Sequence, residues 1–290
     1  MSAISAATRV PLPLRKPVGP RVRRATLGVL LLCAAVFMLL PVVWLTVQST
    51  LGHGSALRVP PVWFTTHPTT QNYHEVLGLI PFFRFLTNSI RITLIVTVGA
   101  VTTSSLAAYA FARLEFPFKR TLFIVLLCAI MVPNQVTAAP TYVLMNRLGL
   151  TGTQAAVWLP GLVNVFGIFL LRQFFQGIPR DLEEAARLDG CGTLEILWRI
   201  ILPLSRSALA ALAILVGSAT WNDYFWPSIY LTDRNQMTLP VGLITLQGLY
   251  KQGSPVVMFA AVAMTVVPLL LIFIFAQRAM TESLTMTGFK

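Results

Sequence analysis

The residues best able to do chemistry in this sequence are polar side chains that interrupt long apolar stretches. Asp223 is the single acid within such a stretch, and Asn222 precedes it. A carboxylate and an amide could together exchange hydrogen bonds with a polar solute. Polar groups are costly in lipid and usually face a bundle interior or a water-filled path. The alternative is a satisfied polar cluster at a membrane interface, where Trp221 and Trp226 flank the pair.

Three further polar residues lie in apolar stretches. Asn134 and Gln135 follow Pro133, whose ring frees a backbone carbonyl that neighbouring polar groups can satisfy. These two side chains therefore either line a path or repair a kink, and Asn164 gives a weaker signal of the same kind. Recognition of a sugar would also need aromatic faces beside convergent donors and acceptors. Side chains that could supply those faces, or equally contact lipid, are Trp221, Tyr224 and Phe225.

The sequence does not predict a set of catalytic residues. None of its lysines follows a glycine, so the G-K-[ST] core of a Walker A loop cannot occur. The three histidines share one loop without an H-E-x-x-H pattern, and the three cysteines form no C-x-x-C pair. The sequence therefore predicts neither an enzyme, nor a nucleotide-binding loop, nor a metal site.

The composition explains why polar residues within apolar stretches are informative here. Charged residues make up 11% and hydrophobic residues 56% of the 290 residues. A soluble protein carries about 25% charged residues, so this chain could not cover a water-facing surface. The net charge of +12 does not indicate nucleic acid, because the charges lie between apolar stretches. Both features predict a polytopic protein whose main partner is the lipid bilayer.

Six stretches are long and apolar enough to predict membrane-spanning helices. The fold class expected is therefore all-α, with six transmembrane helices. The predicted spans cover residues 25–47, 92–112, 121–139, 151–171, 207–230 and 256–277.

Basic residues predict the orientation of these spans. With the N-terminus inside, sixteen of the 22 lysines and arginines fall on the cytoplasmic side. A multi-pass protein with both termini in the cytoplasm follows. The expected organisation is a basic cytoplasmic tail (1–24), a first span with an outward-facing loop (25–87) and a core (88–290). The core contains a long cytoplasmic loop at 172–206.

The stretch 178–203 of that loop has the physical marks of a short helix, a turn and a second helix. Acidic residues at 181, 183 and 184 would lie at the positive end of the first helix, and Arg187 is within reach of Glu183 and Glu184. Gly190 would end this helix, and an amphipathic stretch at 193–202 leads to Pro203. Small side chains at positions 185 and 186 would allow another protein surface to approach closely.

The same loop carries a recognisable pattern. Glu184-Ala185-Ala186, Asp189-Gly190 and Leu202-Pro203 resemble the signature of binding-protein-dependent ABC importer permeases. Two later stretches, 221–227 and 238–243, look like segments of the carbohydrate-uptake branch of that family, the MalG-like permeases. The resemblance covers about two hundred residues, from position 83 to the C-terminus.

This resemblance implies a type I ABC importer permease in a bacterial inner membrane. Its loop helix would be a coupling helix that docks on a cytoplasmic ATPase. ATP and Mg²⁺ would then be bound by the partner ATPase, with no cofactor on this chain. The implied partners are a second permease subunit, an ATPase dimer and an extracytoplasmic solute-binding protein, with no nucleic acid. The implied coupling residues are Glu184, Ala185, Ala186, Leu188, Asp189, Gly190 and Pro203.

The implied substrate is a sugar or oligosaccharide. The alternative within the branch is glycerol phosphate or a glycerophosphodiester, for which Arg91 is the obvious cation; an ion-driven secondary transporter is the alternative from another class. The candidate residues of the substrate path are Asn88, Asn134, Gln135, Asn164, Trp221, Asn222, Asp223 and Phe225. The candidate contacts with the solute-binding protein are Thr238, Leu239, Pro240 and Gly242.

Overall fold

The computed structural model describes residues 20–54, 62–249, 255–268 and 270, and this part of the chain is helical without a β-strand. A π-helical turn spans Leu197–Ile201, and a 3₁₀ turn spans Arg234–Gln236. The helices are α1 Pro20–Ser49, α2 Gln71–Leu79, α3 Phe82–Arg113, α4 Lys119–Ile130, α5 Ala138–Arg147, α6 Ala155–Gly161, α7 Val165–Gln176, α8 Asp181–Leu188, α9 Thr193–Ile196, α10 Leu202–Leu204, α11 Arg206–Trp221, α12 Phe225–Tyr230, α13 Leu239–Leu249 and α14 Pro255–Pro268.

Three helical segments of the described chain are long and apolar enough to cross a membrane: Arg24–Ser49, Phe82–Arg113 and Ala155–Gln176. A fourth follows if the bent pair Thr193–Leu204 and Arg206–Trp221 is one span. These segments include the predicted first and second spans and cover the predicted fourth span from Ala155 onward. The full count of six stays a prediction, since part of the last predicted span lies outside the described residues.

The predicted third span, 121–139, is not one continuous helix. Helix α4 ends at Ile130, and α5 begins only at Ala138. Pro133 lies between them and has no N–H to continue a helical ladder. The fifth predicted span is likewise divided, because α11 ends at Trp221 and α12 begins at Phe225. Residues of both interruptions line one cavity of the bundle.

The centre of the fold is α3, which packs against α7 and α11. Gly167 of α7 lies where the three helices meet. A Cβ atom at this position would lie 2.6 Å from Ser104 Oγ of α3 and 2.9 Å from Leu212 Cδ1 of α11. Glycine is therefore what lets these three helices pack at this distance.

The end of α1 is joined to α2 by buried hydrogen bonds. The Asn72 side-chain amide donates to the backbone oxygens of Ser49 and Leu51, both at 2.8 Å. The hydroxyls of Ser49 and Tyr73 share a hydrogen bond of 2.6 Å. The most apolar stretch of α1 makes no such contacts and is not buried against any described part of the protein.

A sharp bend separates α10 from α11. The segments Thr193–Leu204 and Arg206–Trp221 meet at 81°, with the fully buried Ser205 between them. The π-helical turn precedes Pro203, which cannot donate a backbone hydrogen bond, and the Leu202 N–H reaches back to the Leu197 oxygen. The loop between α7 and α11 is thereby directed away from the axis of α11.

Candidate functional site

Helix α8 presents two different faces. Glu183 and Ala186 are buried against the helical body, whereas Glu184, Ala185 and Leu188 are exposed. The E-A-A pattern is thus divided between the two faces. Ala186 packs on the protein's own core, and Glu184 and Ala185 remain free to meet another surface.

An ion pair fastens the buried face of α8 to the bundle. Arg113 Nε, at the end of α3, lies 2.7 Å from Glu183 Oε1, and the two side chains are only 4% and 6% exposed. Arg113 Nη2 also donates to the backbone oxygens of Phe175 and Ile178 at 2.6 Å each. The ends of α3 and α7 and the start of α8 are therefore held together by one guanidinium group. Glu183 uses this partner rather than its sequence neighbour Arg187.

The Asp-Gly step ends α8 in a Schellman motif. The Cys191 N–H donates to the Ala186 oxygen at 2.9 Å, and the Gly190 N–H donates to the Arg187 oxygen at 3.0 Å. Gly190 has φ +86°, a left-handed conformation that side chains with a Cβ adopt at a cost. Gly190 is therefore required by the geometry of the turn between the two loop helices.

Replacement of Gly190 by alanine should destabilise this turn by about 1–2 kcal/mol. Gly192→Ala is a matched control, because an added Cβ meets open space at both positions but Gly192 has φ −75°. Thermal unfolding of the detergent-purified protein should show a lower midpoint for Gly190→Ala and little change for Gly192→Ala. Equal effects of the two substitutions would contradict the assigned role of Gly190.

The loop also exposes apolar side chains that the described chain leaves uncovered. Leu188 is 89% exposed, and three further large apolar residues are exposed nearby in sequence. Exposed large apolar side chains beside charged residues are a feature of protein–protein contacts. We call these four residues the loop patch: Leu182, Leu188, Leu194 and Trp198.

A second feature is a cavity of about 680 Å³ between the interrupted helices. Its walls come from the α4–α5 break, α6 and α7, and the junction of α11 with α12. Five of the eight predicted path residues line it: Asn134, Gln135, Asn164, Asp223 and Phe225. Sequence reasoning missed other lining residues, among them Thr137, Thr141, Phe166, Thr220 and Trp226.

Two polar lining residues are fixed by helix starts. Asn164 Oδ1 accepts a hydrogen bond from the Gly167 N–H at 2.7 Å and thereby caps α7. Asp223 Oδ1 accepts from the N–H groups of Phe225 and Trp226, at 3.0 and 3.4 Å, and caps α12. Capping satisfies backbone donors that helix starts leave free. Both side chains therefore have a structural task and a fixed position at the cavity.

Asn134 and Gln135 do not repair the break after α4. The Asn134 oxygen accepts hydrogen bonds from the Thr137 N–H at 3.2 Å and from Thr137 Oγ1 at 2.8 Å. The Ala129 oxygen, which Pro133 leaves without its helical N–H donor, accepts a hydrogen bond from the Val132 N–H at 3.3 Å, so neither carbonyl is satisfied by an amide side chain. The two amides remain exposed at the cavity wall, and this location favours the path hypothesis for them.

Three predicted path residues lie elsewhere. Asn88 Nδ2 donates to the backbone oxygens of Asn235 and Met237, both at 2.9 Å, so it holds the turn before α13. Trp221 is 5% exposed and packs in an apolar cluster. The Asn222 side chain donates to the Ser218 oxygen at 2.8 Å at the end of α11. For these three residues the structure supports a packing or capping role in place of a path role.

The predicted contacts for a solute-binding protein are mostly inside the fold. Thr238 and Leu239 are 4% and 2% exposed, and the Leu239 N–H donates to Ser89 Oγ at 2.8 Å. Gly242 packs against the Phe85 ring, and Pro240 is half-buried. The exposed surface of this loop lies before them, at residues 232–235. A contact of Thr238, Leu239, Pro240 and Gly242 with a solute-binding protein stays a prediction.

The cavity is nearly free of charge. Asp223 is the ionisable residue among its lining side chains within the described chain, and no lysine or arginine lines it there. Arg91 is exposed on α3 and lies outside the lining. Aromatic surface is supplied by Phe166, Phe225 and Trp226. The arrangement offers amide, hydroxyl and carboxylate groups beside aromatic faces.

Apolar helices around a polar cavity, with a projecting loop that exposes apolar surface, define an integral membrane transport subunit. The chain belongs to the family of binding-protein-dependent transport system inner membrane components, whose model matches residues 100–285. The predicted resemblance to binding-protein-dependent importer permeases is thereby confirmed.

Proteins named as transport system permeases match most of the chain. It is 36% identical over 209 residues to the arabinooligosaccharides transport system permease protein AraQ of Halalkalibacterium halodurans, covering 72% of this chain and 75% of that protein. It is 30% identical over 259 residues to the sn-glycerol-3-phosphate transport system permease protein UgpE of Yersinia pestis, covering 86% and 92%.

A solved structure shares the fold. A chain of a bacterial ABC transporter involved in the import of the acidic polysaccharide alginate aligns with a TM-score of 0.77 and 24% identity. The alignment covers 92% of this chain and 99% of that one. The predicted all-α fold class is confirmed by this likeness, and the family match confirms that the fold is that of an importer permease.

Proposed function

We propose that this chain is the permease subunit of an ATP-driven importer for a neutral sugar or oligosaccharide. The observation that carries the proposal is the cavity, in which neutral polar groups and a single carboxylate lie beside aromatic rings. Sugars are recognised by such combinations of hydrogen-bonding groups and apolar faces. The relative named for arabinooligosaccharide transport supports the same substrate class.

Glycerol phosphate is the alternative substrate, supported by the relative named for glycerol-3-phosphate transport. A phosphate group requires positive charge or a cluster of N–H donors. The described cavity wall offers Asp223 and no cation, so this chain would repel the phosphate. The charge of the wall therefore favours the neutral substrate.

The loop between α7 and α11 is proposed to face the cytoplasm together with both termini, because basic residues are concentrated on that side. The loop patch and the exposed Glu184 and Ala185 would dock on an ATPase dimer, which would bind ATP and Mg²⁺. Movement of that ATPase would shift the bundle between inward-open and outward-open states. The exposed turn at 232–235 would meet the solute-binding protein on the opposite side.

Purification of the tagged protein in mild detergent tests the assembly. A second permease subunit and two copies of an ATPase should copurify. Uptake should require ATP and survive collapse of the ion gradient. A chain that purifies alone and transports without ATP would contradict the proposal and favour an ion-driven transporter. Binding assays on the copurified solute-binding protein should then distinguish neutral oligosaccharides from phosphorylated glycerol compounds.

Asp223→Asn tests the proposed path directly. Asparagine caps helices as well as aspartate does, so the start of α12 should be preserved while the charge is lost. A hydrogen bond to a charged group contributes about 1–1.5 kcal/mol more than a neutral one, so KM for uptake should rise about fivefold to tenfold. Asn222→Ala is the control, because Asn222 lies beside Asp223 but outside the cavity lining. Equal kinetics in the two variants would contradict a path role for Asp223.

A further inference from the structure

A second cavity, of about 630 Å³, lies where the end of α3, the start of α4 and the second half of α7 meet. Three basic side chains line it, Lys119, Arg120 and Arg172, against a single acid, Glu115. The Glu115 side chain is 82% exposed, whereas that of Lys119 is 21% exposed. The cavity therefore has an excess of positive charge that its own acid does not neutralise.

The central cation of this cavity is fixed in position. Arg172 Nε donates to the Phe111 oxygen at 3.2 Å, and its guanidinium carbon lies 4.1 Å from the centre of the Phe123 ring. A guanidinium held over an aromatic face keeps its remaining N–H donors in a set direction. Those Nη donors have no hydrogen-bond partner within the described residues. They are available to an anion that enters the cavity.

The other two cations differ in how much they are already engaged. Lys119 Nζ donates to the Leu114 oxygen at 2.7 Å and lies 3.2 Å from Glu115 Oε1. Arg120 is exposed and forms no ion pair with any described residue. A ligand could therefore recruit Arg120 without breaking an existing contact.

The surface beside the cavity is apolar. Helix α4 has no buried residue in the described chain, and Ile124, which lines the cavity, is 50% exposed. Val125 and Phe118 continue this surface, with exposures of 62% and 78%. A soluble anion would contact the basic side chains and leave the apolar face of α4 uncovered. An amphiphile with an anionic headgroup would contact the basic side chains with its head and the apolar face with its tail.

We infer that this cavity binds the headgroup of an anionic phospholipid, whose acyl chains lie along the exposed face of α4. Basic pockets between membrane helices are a recognised setting for such headgroups. The phosphate would be held by Arg172 and Arg120, with Lys119 at the rim. The inference depends on membrane insertion and is independent of the transported solute. A bound lipid would link α4, which leads into the polar cavity, to α7.

Lipid binding to the detergent-purified, assembled transporter tests the inference. Phosphatidylglycerol and phosphatidylcholine with identical acyl chains should be titrated and the bound lipids counted by native mass spectrometry. Phosphatidylglycerol should bind more tightly. The double variant Arg120→Gln, Arg172→Gln should bind it about 30-fold more weakly, given about fivefold for each basic group near an anionic lipid. Arg91→Gln is the matched control, since Arg91 is exposed on the same helix as Phe111 but outside this cavity.

The outcomes separate a lipid from other anions. Equal binding of the two lipids, or equal binding of phosphatidylglycerol to the double variant and to Arg91→Gln, would overturn the inference. Displacement of the lipid by an equal concentration of inorganic phosphate would assign the cavity to a soluble anion and also overturn it. If the double variant does not assemble, Arg120→Gln alone should weaken binding about fivefold, because Arg120 supports no described contact.

Discussion

Glu184→Lys should abolish uptake while leaving the chain in the membrane. Glu184 is exposed on the face of α8 that also presents Ala185 and the 89% exposed Leu188. Its side chain makes no hydrogen bond or ion pair within the described chain, so reversing its charge should not unfold the loop. At a docked interface, a like-charge juxtaposition costs several kcal/mol. A cost of about 2–5 kcal/mol corresponds to at least a 30-fold loss of ATPase affinity.

The measurement is copurification of the ATPase together with uptake by intact cells. Glu184→Gln is the matched control, because it keeps the size and removes the charge without reversing it; it should retain measurable binding. Ala185→Trp offers an independent check, since the position is exposed and only a close-fitting partner would sense the added ring. Normal uptake by the Glu184→Lys variant would contradict the proposal that α8 is the coupling helix.

Glu183→Gln, one position earlier, should have an equally large effect for a different reason. Glu183 is the buried partner of Arg113, and removal of one member of a buried ion pair typically costs about 3–5 kcal/mol because the other charge is left unpaired. The attachment of α8 to the ends of α3 and α7 should loosen. ATP hydrolysis by the assembled complex should persist while uptake falls, so the ratio of ATP hydrolysed to solute transported should rise.

A double-substitution cycle distinguishes uncoupling from general instability. Replacing both Glu183 and Arg113 by leucine removes the unpaired charge, and such apolar replacements are often tolerated. The double variant should be more stable in detergent than the sum of the two single effects predicts. It should still transport poorly, because the Phe175 and Ile178 oxygens lose their shared donor. Full transport in the double variant would show that the pair serves stability alone.

The loop between α7 and α11 was the most predictable part of the molecule because its determinants are local. The Schellman turn depends on Gly190 and its immediate neighbours, and the acids at the start of α8 act within one helical turn. The pairing of Glu183 was not predictable in this way. Arg113 is far away in sequence, and only the packing of α3 on α7 brings it to α8. Local spacing instead favoured Arg187, which lies near Tyr109 in the structure.

The cavity was predictable in part. Polar residues in apolar stretches were a sound signal for Asn134, Gln135 and Asp223, because a bundle must direct such groups away from lipid. The same signal misplaced Asn88, whose amide holds a backbone turn more than a hundred residues later. A polar side chain inside a membrane protein can serve the solute or the protein's own backbone. The sequence identifies the polar side chain, and the tertiary fold decides whether that side chain faces the solute path or bonds to the backbone.

The bend at Ser205 has a mechanical meaning. The arm Thr193–Leu204 is about 18 Å long at about 1.5 Å per residue, and it meets α11 at 81°. Because the two segments meet near a right angle, a sideways displacement of Thr193–Leu204 would rotate α11 about its own axis. A displacement of about 2 Å, typical of helix shifts at subunit interfaces, would turn α11 through about 6°. Since α11 carries Thr220 and adjoins Asp223, a small stroke at the loop would reorient the wall of the cavity.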